Sequence, residues 1–189
     1  MIPILLLLVQ VSATPIGGDL RPGMELVYES NGRAQPPWLV DSAVAGLTLD
    51  QYRGCARILL RRRPSPAPAE ESRHCVRGDT LFAWNARDSL WRPQRPVGPR
   101  MRMSFPRAGG DTVRYETSEP VEEVVSGRRI RVIETTVTTV DSLGRPKRRL
   151  RERYAPALAT ATGGRFEVPD AAAPGGWRIE QTFELSVIR

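Results

Sequence analysis

The stretch that decides the fold is WRIEQTFELSV, residues 177–187. Polar and apolar side chains alternate along it, and Gln181 alone interrupts the apolar row. Because successive side chains of a β-strand point to opposite faces, the alternation predicts a strand with one buried face. The apolar face is formed by Trp177, Ile179, Phe183, Leu185 and Val187.

The preceding part of the chain predicts more strands joined by turns. Residues 128–140 are rich in Ile, Val and Thr, which suit a pleated sheet, and a turn at 141–144 leads into residues 147–154. No window of a dozen residues keeps the 3.6-residue period of a helix. Further strands are predicted over 24–30, 38–44, 55–60, 79–85, 89–92, 111–118 and 121–125.

These patterns predict an all-β fold with a single antiparallel β-sheet domain over residues 14–189. The sheet is expected to be strongly curved, as a half-barrel or a sandwich. A Pro-rich loop is predicted at 61–72, where proline resists both helix and central strand. The length of 189 residues suits one domain with a real core.

The N-terminus resembles an export signal. Residues 2–11 form an apolar run, too short for a membrane span, and small residues follow at Ser12 and Ala13. We therefore predict a cleaved signal peptide over residues 1–13 and a periplasmic or secreted protein. A buried N-terminal strand is the alternative interpretation of the same run.

The two cysteines, Cys55 and Cys75, are expected to pair, because an exported chain meets an oxidising compartment. In a simple hairpin with its loop at 61–72, however, Cys75 falls opposite Ile58. A disulfide then needs irregular backbone near Gly54, or strands that are not sequential neighbours. A metal or redox site formed by the two cysteines with His74 is the alternative. The sequence has neither a CxxC spacing nor a fourth ligand for such a site, so no metal site and no cofactor are predicted.

One face of the hairpin over residues 128–154 carries a row of arginines, Arg149, Arg151 and Arg153. If Val140 opposes Lys147, the cross-strand partners of these arginines are Thr138, Thr136 and Glu134. Guanidinium groups bind phosphates and sugar carboxylates through paired hydrogen bonds, so this arginine row is a candidate ligand or anionic-membrane site. The alternative is a solvated sheet face neutralised by nearby glutamates.

Tryptophans supply the second group of candidate site residues. Trp84 and Trp91 lie on the two strands of one predicted hairpin and could line a pocket for an apolar or carbohydrate ligand. Core packing is the alternative. A curved sheet places such residues on its concave face in both interpretations. The two differ only in whether side chains fill the space that the sheet encloses or leave room for a ligand.

The charge balance and the motifs exclude several classes of function. The chain has 28 Lys and Arg against 21 Asp and Glu, a net charge of +7. Nucleic acid would suit that charge, but no nucleic-acid-binding motif is present and export disfavours it. A single His and the lack of nucleophile, metal or phosphate-loop motifs predict a protein that is not an enzyme.

Short motifs in the C-terminal half resemble those of uncharacterised exported bacterial all-β proteins. They are GRRIRV at 127–132, RERYAP at 151–156 and GGRFE at 163–167, within a region of similarity over residues 111–189. The layout is similar to the antiparallel half-barrels of lipoprotein carriers, although Ala157 stands where Gly usually follows the proline. The resemblance implies a fold and a cell-envelope setting, and no catalytic residues.

We therefore expect an exported binding protein of the cell envelope that holds a lipid, a glycan or another apolar ligand on a concave or cationic sheet face. A partner protein of the envelope or an anionic membrane surface would also fit. One alternative is a structural module that pairs through an exposed strand edge. Another is a hydrolase with an unrecognised carboxylate pair.

Overall fold

The computed structural model describes residues 15–189, apart from the side chain of Ala108, and its strands form one antiparallel sheet. Three short 3-10 segments lie at Ala108–Gly110, Pro156–Leu158 and Pro174–Gly176. The strands are β1 (Glu25–Ser30), β2 (Arg33–Ala34), β3 (Trp38–Leu49), β4 (Tyr52–Arg62), β5 (Glu70–Arg77), β6 (Thr80–Asn85), β7 (Leu90–Pro96), β8 (Arg102–Pro106), β9 (Thr112–Val125), β10 (Arg128–Val140), β11 (Pro146–Ala155), β12 (Thr160–Pro169) and β13 (Trp177–Ile188).

The sheet curls until it is nearly closed. Its strand order is β7-β6-β5-β4-β3-β1-β13-β12-β11-β10-β9-β8, with β2 attached to β1. The edge strands β7 and β8 approach each other, and β1 pairs with β13, so the first and last strands lie side by side. The predicted fold class is confirmed, and of its two arrangements the curved single sheet is the one present.

Several segments differ from the sequence prediction or refine it, and β8 and β12 form where no strand is predicted. β9 is one long strand rather than two, because a register shift of β10 against β9 near Pro120 accommodates the proline. β4 and β5 extend into the predicted Pro-rich loop, so their connection covers only residues 63–69. β7 contains Pro93 and Pro96, and it lies at the sheet edge, where a missing amide hydrogen is tolerated. The predicted signal peptide, residues 1–13, lies outside the described residues.

Cys55 and Cys75 form a disulfide, as predicted, with their Cα atoms 4.0 Å apart. The expected register was wrong: Ser72, not Cys75, lies opposite Ile58. The shorter connection shifts β5 along β4. Ala56 pairs with His74, so in the same register the next pair is Cys55 with Cys75. Both are fully buried beside Tyr52 on the outer side of the sheet.

Replacing Cys55 and Cys75 by alanine should lower the free energy of unfolding by about 3 kcal/mol, because the bond closes a loop of some 20 residues in the unfolded chain. Urea denaturation of the purified protein measures the change, and reductant added to the unaltered protein should reproduce it. Titration of two free thiols in the unreduced protein would contradict the bond itself.

The strand register defines an inner and an outer face of the curved sheet, because paired residues share a face. Across the interior, Arg95 of β7 contacts Glu152 of β11, which identifies the face of Glu152 as the inner one. The same face carries Leu26, Tyr28, Trp38, Ile58, Leu60, His74, Tyr154 and Leu185.

The segment before β1 packs against this inner face. Ile16 and Leu20 are buried in the core, and the amide of Gly17 donates to the carbonyl of Pro156 at 2.9 Å. Gly17 has a φ of +65°, and a Cβ there would lie 3.2 Å from Cδ1 of Ile58. Glycine is therefore favoured at this position both by the backbone conformation and by the close approach to β4.

Candidate functional site

A cavity of about 460 Å³ lies on the inner face, between strands β1, β3, β4 and β5 and the turn at Pro156–Leu158. One part of its wall is apolar and is formed by Leu20, Leu26, Trp38, Ile58, Leu60, Leu158 and Ala159. The other part is polar and is formed by Tyr28, Glu70, Ser72, His74 and Thr160. This volume and this mixture of wall residues are typical of small-molecule sites.

Period-two alternation along β4 and β5 aims these side chains into the cavity. Leu60 pairs with Glu70, and Ile58 pairs with Ser72, so an apolar strand lies beside a polar one on the same face. Trp38, at the start of β3, pairs with Leu26 of β1. We did not predict this site, since its parts belong to strands whose pairing is visible only in the folded sheet.

The hydroxyl groups on one side of the cavity satisfy each other. The hydroxyl of Tyr28 donates to the carbonyl of Ala161 at 2.9 Å and lies 2.9 Å from Oγ1 of Thr160. Burial raises the pKa of Tyr28 to about 12, although the hydrogen bond with Thr160 opposes the shift. The phenol therefore stays protonated at neutral pH.

His74 differs from these hydroxyl groups because its Nδ1 atom is buried and has no hydrogen-bond partner. Burial lowers the pKa of His74, and the positive charge of nearby Arg95 lowers it further. The imidazole is therefore neutral at pH 7 and offers one donor and one acceptor.

A second polar cluster lies deeper in the interior, around the ion pair of Arg95 and Glu152. The Glu152 side chain is only 6% exposed, and the guanidinium of Arg95 lies 4.4 Å from the ring centroid of Tyr154. The hydroxyls of Tyr154 and Thr135 are buried without partners, and burial raises the pKa of Tyr154. These orphaned groups show that the centre of the sheet is not filled by apolar packing alone.

The predicted arginine row has the expected cross-strand partners. Arg149, Arg151 and Arg153 lie on the outer face opposite Thr138, Thr136 and Glu134. Only the turn differs, since a register shift pairs Val140 with Pro146 instead of Lys147.

Carboxylates neutralise the arginine row. Arg149 contacts Glu167, Arg151 lies 3.6 Å from the same carboxylate, and Arg153 binds Glu184 at 2.5 Å and Glu123 at 3.2 Å. A groove of about 440 Å³ runs over this face and is lined by both signs of charge. Little of the charge of this row is therefore free to attract an anionic surface.

Trp84 and Trp91 pack against each other, with ring centroids 5.5 Å apart. Both lie on the outer face, and Trp91 belongs to the cluster that also holds Tyr52 and the disulfide. Nε1 of Trp91 donates to Asp50 at 2.8 Å. The structure thus brings neither the tryptophans nor the arginine row into the cavity, and the two groups lie on strands that are not neighbours. The binding role of these five residues stays a prediction.

Comparison with known proteins finds no matching family, no matching characterised sequence and no matching solved structure. Within residues 15–189, no helix has the length and hydrophobicity needed to cross a membrane. In the same part of the chain, no group of three or more His, Cys, Asp or Glu side chains is placed to hold a metal ion.

Proposed function

We propose that the protein is an exported, non-catalytic binding protein that holds a small apolar or amphiphilic ligand in the inner-face cavity. The cavity itself carries the proposal: seven apolar side chains line part of a space of about 460 Å³, and polar side chains line the rest. Burying apolar ligand surface there gains roughly 25 cal/mol per Å². The disulfide is consistent with an oxidising compartment outside the cytoplasm.

The cavity supports ligand binding better than the arginine row does. The guanidinium groups of that row already hold the carboxylates of Glu123, Glu167 and Glu184. A phosphate or sugar acid would have to displace these groups. Binding of an apolar ligand in the cavity requires no ion pair to be broken.

The edges of the sheet argue against the alternative of a module that adds partner strands. β7 contains Pro93 and Pro96, and β8 ends at Pro106, so a backbone donor is missing at these positions of the two edges. The two edges also approach each other, which leaves little room for a partner strand.

Filling the cavity tests the proposal. Leu60→Trp places an indole in the cavity, whereas Leu59→Trp changes the neighbouring residue, which pairs with Ser42 and Glu71 on the opposite face. We expect the unaltered protein and Leu59→Trp to bind N-phenyl-1-naphthylamine, an apolar fluorophore, with equal affinity. Leu60→Trp should weaken binding by about tenfold or more, because the indole occupies the ligand volume.

Fluorescence titration measures these affinities, and thermal melts verify that both variants fold. Failure of the unaltered protein to bind the fluorophore would overturn the proposal, as would equal losses in the two variants. Native mass spectrometry of the protein purified from its own host should then show a co-purifying apolar ligand, released by Leu60→Trp.

A further inference from the structure

We propose that the cavity selects a neutral amphiphile with a terminal hydroxyl group, and that the imidazole of His74 forms the hydrogen bond with this hydroxyl. The inference rests on the proposed function and adds the chemical class of the ligand. Three observations carry it: the unpartnered nitrogen of His74, the placement of charge around the cavity, and the hydrogen bonds that already occupy the hydroxyl groups of Tyr28 and Thr160.

The first observation is the state of His74. Its ring lines the cavity, two positions along β5 from Ser72, and its Nδ1 atom is both buried and unpartnered. An unpaired buried polar atom is costly, and a ligand hydroxyl removes that cost once the imidazole ring turns its Nδ1 atom toward the cavity. A hydroxyl group can donate or accept, so it pairs with a neutral imidazole in either tautomer.

The second observation concerns charge. Among the described residues that line the cavity, Glu70 is the only charged one, and it is exposed. The guanidinium of Arg95, which lies near His74, is held by Glu152. The guanidinium of Arg62 lies 5.7 Å from the ring centroid of Trp38, and Arg62 is exposed. A carboxylate headgroup inside the cavity would therefore lose its hydration without gaining a cation.

The third observation is that the hydroxyl groups of Tyr28 and Thr160 are already used, which leaves Ser72 beside His74 on β5 to contact the same ligand hydroxyl. Tyr28 and Thr160 lie within hydrogen-bond distance of each other, and Tyr28 also donates to the carbonyl of Ala161. A ligand group that bound to either would compete with an existing hydrogen bond. His74 is the group in this wall with a buried atom still to be paired.

Displacement of the fluorophore by dodecan-1-ol and by dodecanoate at pH 7 tests the inference, since the two molecules share a chain length and differ in the headgroup. We expect the alcohol to displace the fluorophore at a concentration about tenfold lower than the carboxylate. His74→Leu should remove that preference while keeping fluorophore binding, and His74→Gln, which retains a hydrogen-bonding side chain, should restore part of it. Arg73→Gln, on the opposite face of the same strand, is the matched control.

Melting temperatures separate a ligand role from a structural one. Because Nδ1 of His74 has no partner in the protein, His74→Leu should fold with an unchanged or higher melting temperature. Equal displacement by the alcohol and the carboxylate, or a preference that survives in His74→Leu, would overturn the inference and leave the cavity intact. Tighter binding of dodecanoate, lost in Arg62→Gln, would place an anionic headgroup at the mouth and also overturn it. Failure of the unaltered protein to bind the fluorophore would instead overturn the proposed function.

Discussion

Glu152→Leu should lower the free energy of unfolding by about 3–5 kcal/mol, because it leaves the guanidinium of Arg95 buried without a counter-charge. The two side chains are 6% and 16% exposed, and they join β11 to β7 across the interior of the sheet. Urea denaturation followed by circular dichroism measures the loss. Arg92→Met removes an exposed arginine from the same edge strand and should leave the stability nearly unchanged.

The double variant Arg95→Met, Glu152→Leu separates the charge from the packing. Replacing both partners of a buried ion pair by apolar residues is often neutral or stabilising, so the double variant should recover most of the stability lost in the single one. A double variant as unstable as Glu152→Leu would contradict this account. It would show that Arg95 stabilises the fold mainly through its contact with the ring of Tyr154.

Local pattern was sufficient to predict most strands of the C-terminal half, although it missed β12. The alternation over residues 177–187 became β13, and the turn at 141–144 produced the predicted pairing of Arg149, Arg151 and Arg153. Here strand neighbours are also sequence neighbours, so the hydrophobic period and the turn residues determine the register.

The cavity could not be predicted in this way, because its walls come from distant parts of the chain. Leu26 and Trp38 meet Leu158 only after β1 has paired with β13. The Arg95–Glu152 pair likewise joins residues 57 positions apart. Local periodicity shows that a residue lies in a strand but not which strands pair, so it cannot show what faces the residue across the interior.

The tryptophans illustrate a second limit. Residues 80–85, TLFAWN, carry apolar side chains on both faces, so alternation does not show which face is buried. Trp84 lies on the same side as Phe82, which pairs with Cys75, whereas Ala83 lies on the inner face beside His74. The pairing of β5 with β6 therefore determines that Trp84 points outward. The sequence pattern alone does not predict that pairing.

Glu167→Gln should also destabilise the protein, by about 2–3 kcal/mol, because one buried carboxylate serves three guanidinium groups. Glu167 is 4% exposed; it contacts Arg149, and it lies 2.8 Å from Arg165 and 3.6 Å from Arg151. The guanidinium of Arg149 is itself only 16% exposed and would lose its partner. Glu180→Gln changes an exposed carboxylate 3.9 Å from the guanidinium of Arg148; it is the control and should have little effect.

The effect of Glu167→Gln should depend on pH with a definite sign. Burial raises the pKa of Glu167, but the hydrogen bond and charge of Arg149, with the charges of Arg151 and Arg165, outweigh it and lower the pKa below its usual value of 4.5. A carboxyl group with a lower pKa in the folded state contributes stability that is complete above the unfolded pKa and disappears as the pH falls through the folded one. The difference in unfolding free energy between the unaltered protein and Glu167→Gln should therefore be full at pH 7 and shrink below about pH 4.

A difference that stayed constant down to pH 3 would contradict this account, since it would mean that the lost hydrogen-bond geometry, not the charge, causes the instability.

The same variant also tests the arginine row, because it frees guanidinium groups that Glu167 holds. If neutralisation is what keeps this face from binding anions, Glu167→Gln should bind anionic vesicles more strongly than the unaltered protein, and salt should weaken that binding. Unchanged vesicle binding at low salt would mean that the row forms no anion site even when its charge is released.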